Sequence, residues 1–546
     1  MLRDLEIMQD RLYDVLVVGG GIYGACVAWD ATLRGLSVAL VEKADFGHAA
    51  SSNSLKIMHG GLRYLQDLDV SRMRMMARER KAWLRIAPRL VRPLPFILPT
   101  GGFGFRNRAA IRVALAVNDL ISFDRNCGLP ADGYIPSGRL ISKTECFGLI
   151  PGLPVEGVTG AALWYDAQLQ DSERLLMLIL HSAVRGGAEI ANYADLTAMQ
   201  ADKRDSMQAE VCDAIEGGTY TIRARLVINC AGAWSEEVLR LLNGRASLFR
   251  PSLAVNLVTR QVLSGAALAL PSRFAGEERI LFVVPWKNRS LIGTWHFPHT
   301  GAELRPRVTA AAIKEFLQEI NAAFPAAALS LDDVCHVQAG FLPAHATKSG
   351  RRPPRLIRES QVCDHFKEEG LERMITVVGV KYTTARHAAQ LAVDLALRRL
   401  GRPHVPCRTD RTELACMRAQ DQTIQEGAAG RTVSGLAPQP FSRPFRSDGV
   451  DRGDRHVTFS AVPAEEKSDL PAQVASAVRS EMAQTLTDVL RRRTAVGAAG
   501  PPDRSVVDES ARLMAEALGW TAARKASEVK ALHESYEAVY SARDAG

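Results

Sequence analysis

Tyr13-Asp14-Val15-Leu16-Val17-Val18-Gly19-Gly20-Gly21-Ile22-Tyr23-Gly24 decides how the rest of this chain is read. The first six residues predict a short buried strand, and the glycines that break it predict a turn. A helical run over 25–34, a stop at Gly35 and a second apolar strand over 37–41 follow, and the strand ends on Glu42. Each part has a physical task. Gly19 permits the tight turn, Gly21 lets backbone approach a pyrophosphate, and Gly24 lets the helix pack close to the strand. The helix N-terminus offers N–H groups and a positive dipole end to that anion. Glu42, 23 residues after Gly19, is placed to accept hydrogen bonds from an adenosine ribose. A lone glycine pattern is explained equally well by an ordinary turn. Strand, turn, helix, strand and terminal acid in that order are what a dinucleotide site demands.

The residues after Glu42 narrow the reading. Residues 49–65, AASSNSLKIMHGGLRYL, are too small and polar for a core element and carry a basic, glycine-bearing turn. The run SSNSLKIMHGGLRYL, behind VVGGGIYGACVAWDATLRGLSVALVE, closely resembles the FAD-dependent glycerol-3-phosphate dehydrogenases. That resemblance implies an α/β fold. Its parts would be a Rossmann-like FAD-binding domain of the glutathione-reductase/amino-acid-oxidase type, an antiparallel-sheet substrate domain and a helical C-terminal domain. It also implies FAD lying along the loop, against Ser51, Ser52, Lys56, His59, Gly60 and Gly61, and a secondary alcohol as the group oxidised.

Length and composition set the outer bounds. A chain of 546 residues is too long for one core, so two or three domains are expected. Apolar content of 47% with 23% charged residues is that of a globular enzyme. No apolar run is long enough to span a membrane, and Met1-Leu2-Arg3-Asp4-Leu5-Glu6 lacks the plan of a signal peptide. Nine scattered cysteines without a C-x-x-C pair predict a reduced, cytoplasmic protein with neither a disulfide framework nor a metal site.

The net charge of +8 is concentrated, with eight basic residues against Glu79 alone in residues 72–92. Met73, Met76, Ala77 and Leu84 fall at helical spacing within that run. A surface helix with one buried face explains it. So does a helix resting on an anionic lipid surface, which would put the protein on the inner face of a membrane. Nucleic acid is not expected as a partner, because no aromatic interleaving or nucleic-acid module accompanies the charge.

Farther along, residues 93–160 are rich in Pro and Gly and read as the start of a substrate-covering domain. Asp171 caps a predicted helix that Gly186-Gly187 ends. The strand-and-turn Leu226-Val227-Ile228-Asn229-Cys230-Ala231-Gly232 matches the turn that closes the adenosine side in flavoproteins of this plan, through Ala231 and Gly232. Short alternating strands fill 249–339, around one helix near 308–323. A buried strand over 374–378 then turns through Gly379, Lys381, Tyr382 and Thr383 into a helix whose N-terminus would face the pyrimidine edge of the flavin. These readings divide the chain into an FAD-binding domain (11–100, 155–245 and 340–402), a substrate domain (101–154 and 246–339), a linker (403–456) and a helical C-terminal domain (457–546).

Flavin oxidation of a phosphorylated alcohol needs a proton acceptor and cations for the phosphate, for which the planar fork of Arg is well suited. By resemblance, Arg63, Tyr64, Arg358 and Lys381 match the family's substrate-contacting positions. Three positions depart from the pattern. Leu342 replaces the Arg of a G-V-R-P turn, Asn256 replaces a His, and Trp295-His296 stand where the family has T-D. The leading expectation is oxidation of sn-glycerol 3-phosphate, with a quinone or other electron acceptor. The departures leave room for a sister oxidoreductase acting on another hydroxy or amino substrate, or for a flavin-binding scaffold. If the substrate carries no phosphate, Leu342 and Trp295 are expected to form an apolar wall.

Overall fold

The computed structural model describes residues 1–62, 69–101, 107–202, 205–242, 244, 248–274, 277–299, 303–345, 356–414, 469–537 and 540–541. Arg63, Tyr64 and most of the expected linker lie outside the described residues.

The strand Leu12–Val18 is central to the first sheet, parallel to Val38–Val41 on one side and Thr219–Asn229 on the other. Glu189–Ala191 and Met374–Val378 extend the parallel order outward. Gln361–Asp364 adds an antiparallel edge, and Ala194–Asp202 and Ser206–Asp213 form a meander with the start of Thr219–Asn229. Alternation along the central strand separates two faces. Val15 and Val17 pack against the helices Ile22–Leu33, Ser172–Arg185 and Ala385–Arg399, while Leu16 and Val18 pack toward the meander and the helix Leu5–Gln9. A strand covered on both faces reads as a continuous apolar run, as this one does.

The second sheet has nine strands, antiparallel except where Ala267–Phe274 runs parallel to Val91–Thr100. One face carries the helix Ala310–Ala323, whose Ile313, Phe316, Leu317 and Ile320 pack with Leu257, Ile292 and Trp295. On the other face Phe96, Trp164 and Phe282 meet ring to ring and pack with Ile111 and Leu115 of the helix Arg108–Ile121. Phe96, fully buried there, contributes about 1.5–3 kcal/mol.

The chain crosses between the sheets more often than its expected domain ranges suggest. Ile57–Met58, Val91–Thr100, Gly160–Leu169 and Val334–Ala344 all belong to the second sheet. The strand Val91–Thr100 is hidden in the sequence by three prolines. Pro93, Pro95 and Pro99 share one parity, so their missing N–H groups fall along one edge, and pairing with Ala267–Phe274 is confined to Phe96 and Ile97.

The C-terminal residues form a helical unit of Leu470–Glu481, Arg504–Leu518 and Ala522–Glu537 around Val474, Leu486, Val489, Met514 and Leu532. Gly519 ends one helix at φ +67°, and the Thr521 hydroxyl accepts the Arg524 N–H at the start of the next. Among the described residues no helix is long and apolar enough to cross a membrane, and every described cysteine is free.

Candidate active site

A cavity of about 1700 Å³ runs between the two sheets, from the glycine turn to the helix Arg108–Ile121. At one end Gly19 has φ +105°, and a side chain there would meet the Cys230 carbonyl oxygen at 2.6 Å. A Cβ on Gly24 would lie 1.9 Å from the Gly19 carbonyl, so the helix rests directly on the turn. Gly21 begins the helix and lines the cavity. Glu42 accepts the Gly20 N–H at 2.7 Å and the Ala44 N–H at 2.9 Å, which aims its carboxylate along the wall with lone pairs to spare for hydroxyls. Lys43, Trp234, Ala231 and Gly232 line the same end. This close-packed, glycine-lined cradle ending in a carboxylate fits the ADP half of FAD.

The middle of the cavity is bounded by the loop 49–62 and the turn after Met374–Val378. Ser51 accepts the Ile22 N–H at 3.0 Å, capping the helix beside the turn. Gly379 has its Cα against the Tyr23 ring, where a Cβ would lie 2.0 Å away. The Tyr23 hydroxyl donates to the Lys381 carbonyl at 2.8 Å and accepts the Lys381 N–H at 3.2 Å. Burial raises the Tyr23 phenol and raises Tyr382 further, so both stay neutral donors; Tyr382 donates to the Ser172 carbonyl at 3.0 Å. Tyr23 was not among the expected site residues. An aromatic hydroxyl inside the glycine motif was the available signal.

His59, Gly61 and Asp166 line the cavity wall, and the His59 Nδ1 lies 3.5 Å from the Asp166 carboxylate. Burial would raise the Asp166 carboxyl, but His59, the Arg80 guanidinium and the Gly60 N–H together hold it below the usual carboxylate range. Lys56 lines the wall through its chain, while its ammonium turns away into Ser172 and Glu173. Ser52, Gly60 and Thr383 serve the scaffold behind the wall. The Ser52 hydroxyl donates to the Gly47 carbonyl at 2.7 Å, and the Thr383 hydroxyl accepts the His59 N–H at 3.1 Å.

The opposite wall is a row of strands of the second sheet, from which Ala254, Asn256, Thr294, His296, Gly340 and Leu342 line the cavity. Asn256 is occupied at both ends: its Oδ1 accepts the Thr294 hydroxyl at 2.8 Å and its Nδ2 donates to the Asn53 carbonyl at 3.3 Å. It ties the loop 49–62 to the second sheet. Strand parity separates the next two residues. His296 lines the cavity, whereas Trp295 is 1% exposed on the opposite face, its ring 4.7 Å from Phe316. The apolar wall expected from Leu342 and Trp295 is therefore corrected: Leu342 stands on it and Trp295 lies in the core behind. Arg358 and Lys381 both line the cavity, and Lys381 Nζ donates to the Arg358 carbonyl at 3.3 Å.

The basic run of 72–92 is largely matched within the fold. Arg80 pairs with Asp166, Arg74 and Lys81 with Asp124, and Arg72 with Asp69 and Glu359. Its acid, Glu79, is buried against Arg386.

Comparison with known proteins agrees with this geometry. A family described as FAD dependent oxidoreductase matches residues 14–395, and the C-terminal domain of alpha-glycerophosphate oxidase matches residues 452–525. The chain belongs to the FAD-dependent oxidoreductase family. It is 29% identical to a glycerol-3-phosphate dehydrogenase of Synechocystis sp. over 98% of both chains. It is 30% identical to one of Mycobacterium leprae over 93% of this chain and 86% of that one. The glycerol-3-phosphate dehydrogenase from Bacillus halodurans complexed with FAD has the same fold, at a TM-score of 0.70 and 22% identity, over 98% of this chain and 96% of that one.

Proposed function

We propose that the protein oxidises sn-glycerol 3-phosphate to dihydroxyacetone phosphate. The observation that carries this reading is the placement of two cations, Arg358 and Lys381, on the wall of the cavity that also holds the glycine turn. FAD, when bound, supplies the acceptor for the hydride leaving the carbinol carbon. Arg358 and Lys381 bind the phosphate and the hydroxyl oxygen, and Arg63 and Tyr64 are assigned to the same substrate. The His59 imidazole on the cavity wall, backed by Asp166 at 3.5 Å, takes the hydroxyl proton. The strand wall excludes water from the reacting carbon. Charge-assisted contacts of this kind are about twice as strong as neutral ones.

The acceptor is a quinone reached from the inner face of a membrane. Supporting this, Val113 both lines the cavity and is exposed, and Leu120 and Phe123 continue the apolar strip outward. Arg112, beside Val113, is exposed, and so is Arg78 on the helix Val70–Ile86, which packs against the helix Arg108–Ile121.

The test is anaerobic bleaching of the purified yellow holoprotein by glycerol 3-phosphate, unphosphorylated polyols, hydroxy acids and amines. Wild type, Arg358→Ala and Leu342→Arg are compared. Glycerol 3-phosphate should bleach wild type. Arg358→Ala should lower the apparent second-order rate about 30-fold or more, and Leu342→Arg should tighten binding. A second reading rests on Leu342 and on the fully engaged Asn256: the substrate is a different hydroxy or amino compound. Bleaching of wild type by such a compound, with Leu342→Arg still inert to glycerol 3-phosphate, would decide for it.

A further inference from the structure

The side chains of Arg493 in the C-terminal unit and of Asp45, in the loop after the strand Val38–Val41 of the first sheet, are each 1% exposed, and they meet through two parallel contacts. Nη2 lies 2.6 Å from Oδ1 and Nη1 lies 2.9 Å from Oδ2. Arg492 adds its Nε to the same carboxylate, and Asn192 donates to Oδ1 at 3.0 Å. Burial would raise Asp45, but the two guanidiniums hold it below the carboxylate range.

Asp45 stands in the middle of the loop 42–52, and that loop closes over the glycine turn. Phe46 is buried against Gly20, where a Cβ would lie 2.5 Å from its ring. The Gly47 N–H donates to the Gly20 carbonyl at 3.1 Å. On either side of Asp45 the same loop supplies cavity wall, Glu42 and Lys43 before it and Gly47 to Ser51 after it. Other links from the helical unit, Arg174 to Glu481 at 2.6 Å and Tyr193 to Asp488 at 2.7 Å, reach residues of the helix Ser172–Arg185 and of the turn after Glu189–Ala191, outside that wall.

We propose that Arg493, acting through Asp45, is a positioning residue of the FAD site. The C-terminal helical unit holds the 42–52 loop over the glycine turn and so retains the ADP half of the cofactor. This is independent of which alcohol is oxidised. The fork geometry matters, because two parallel N–H bonds fix the direction of the carboxylate and a lysine at the same place supplies charge without direction.

The test is the rate of FAD release from holoprotein, read by the return of flavin fluorescence on dilution. Arg493→Met and Asp45→Asn should each release FAD at least about tenfold faster than wild type, with Arg493→Lys between wild type and Arg493→Met. Val393→Ala, a buried truncation in the helix Ala385–Arg399 that also lowers thermal stability, should release FAD at the wild-type rate. If Arg493→Met does not fold, Asp45→Asn, which keeps the shape of the side chain, carries the test. Unchanged release from folded variants, or equally fast release from Val393→Ala, overturns the proposal.

Discussion

The ammonium of Lys56 donates to both carboxylate oxygens of Glu173, at 2.8 and 3.0 Å, with the two side chains 0% and 7% exposed. Its neighbours make this contact a junction. Asp171 faces Lys287, in the turn that joins two strands of the second sheet, at 3.5 Å, Ser172 receives Tyr382 from the turn after Met374–Val378, and Arg174 grips Glu481 of the C-terminal unit. Four successive residues at the start of one helix thus tie together the elements that enclose the cavity.

Breaking that pair from one side should be costly. Lys56→Met leaves Glu173 buried without its cation, at about 3–5 kcal/mol. Lys56→Met/Glu173→Leu should recover part of the loss, because removing both charges removes the desolvation penalty. Thermal denaturation of the two single variants and the double gives the cycle. A Lys56→Met protein that melts with wild type would show that the pair contributes nothing.

The two glycines of the motif should respond differently. Alanine at Gly24 drives its methyl into the Gly19 carbonyl, 1.9 Å away, and neither backbone can yield, so Gly24→Ala should purify without flavin. Gly21 has φ −77°, open to any residue, and its new Cβ would meet only the Ser51 hydroxyl at 3.1 Å. Gly21→Ala should fold and hold FAD, with weakened affinity. Visible absorbance of the purified variants checks both, and full flavin in Gly24→Ala would contradict the packing argument.

Trp295 and His296 should separate stability from turnover. Trp295→Ala opens a void under the helix Ala310–Ala323 and should cost about 3–5 kcal/mol. His296→Ala removes a cavity-wall imidazole and should alter the kinetics of flavin reduction with little change in melting temperature. The reverse pattern would place the wrong residue on the wall.

Burial pushes the His181 imidazole down to about 4, and its Nε2 has no hydrogen-bond partner among the described residues. The unfolded chain takes up this proton near pH 6.5, while the folded chain stays neutral until about 4. Stability is therefore fully present above about pH 6.5 and falls as pH drops toward 4, by up to about 3 kcal/mol. His181→Leu should flatten the acid side of a plot of melting temperature against pH. An unchanged slope would assign the acid sensitivity elsewhere.

The cofactor half was legible because its information is local. Glycine turn, helix, second strand and Glu42 lie within 30 residues, and each follows from period, backbone conformation or charge at one place in the chain. The Asp171 cap and the Gly519 stop were legible for the same reason. What tertiary structure decided was partnership. Lys56 resembles a cofactor ligand until Glu173 arrives from 117 residues away. Tyr23 looks like a filler between glycines until Lys381 closes on it from a distance of 358 residues. The sides taken by Trp295 and His296 depend on the register of their strand, which shifts at a bulge between Val255 and Leu257 of its neighbour. A one-residue slip exchanges the two faces of a strand, so local sequence can name the residues of that wall while only the assembled sheet decides which of them face the cavity.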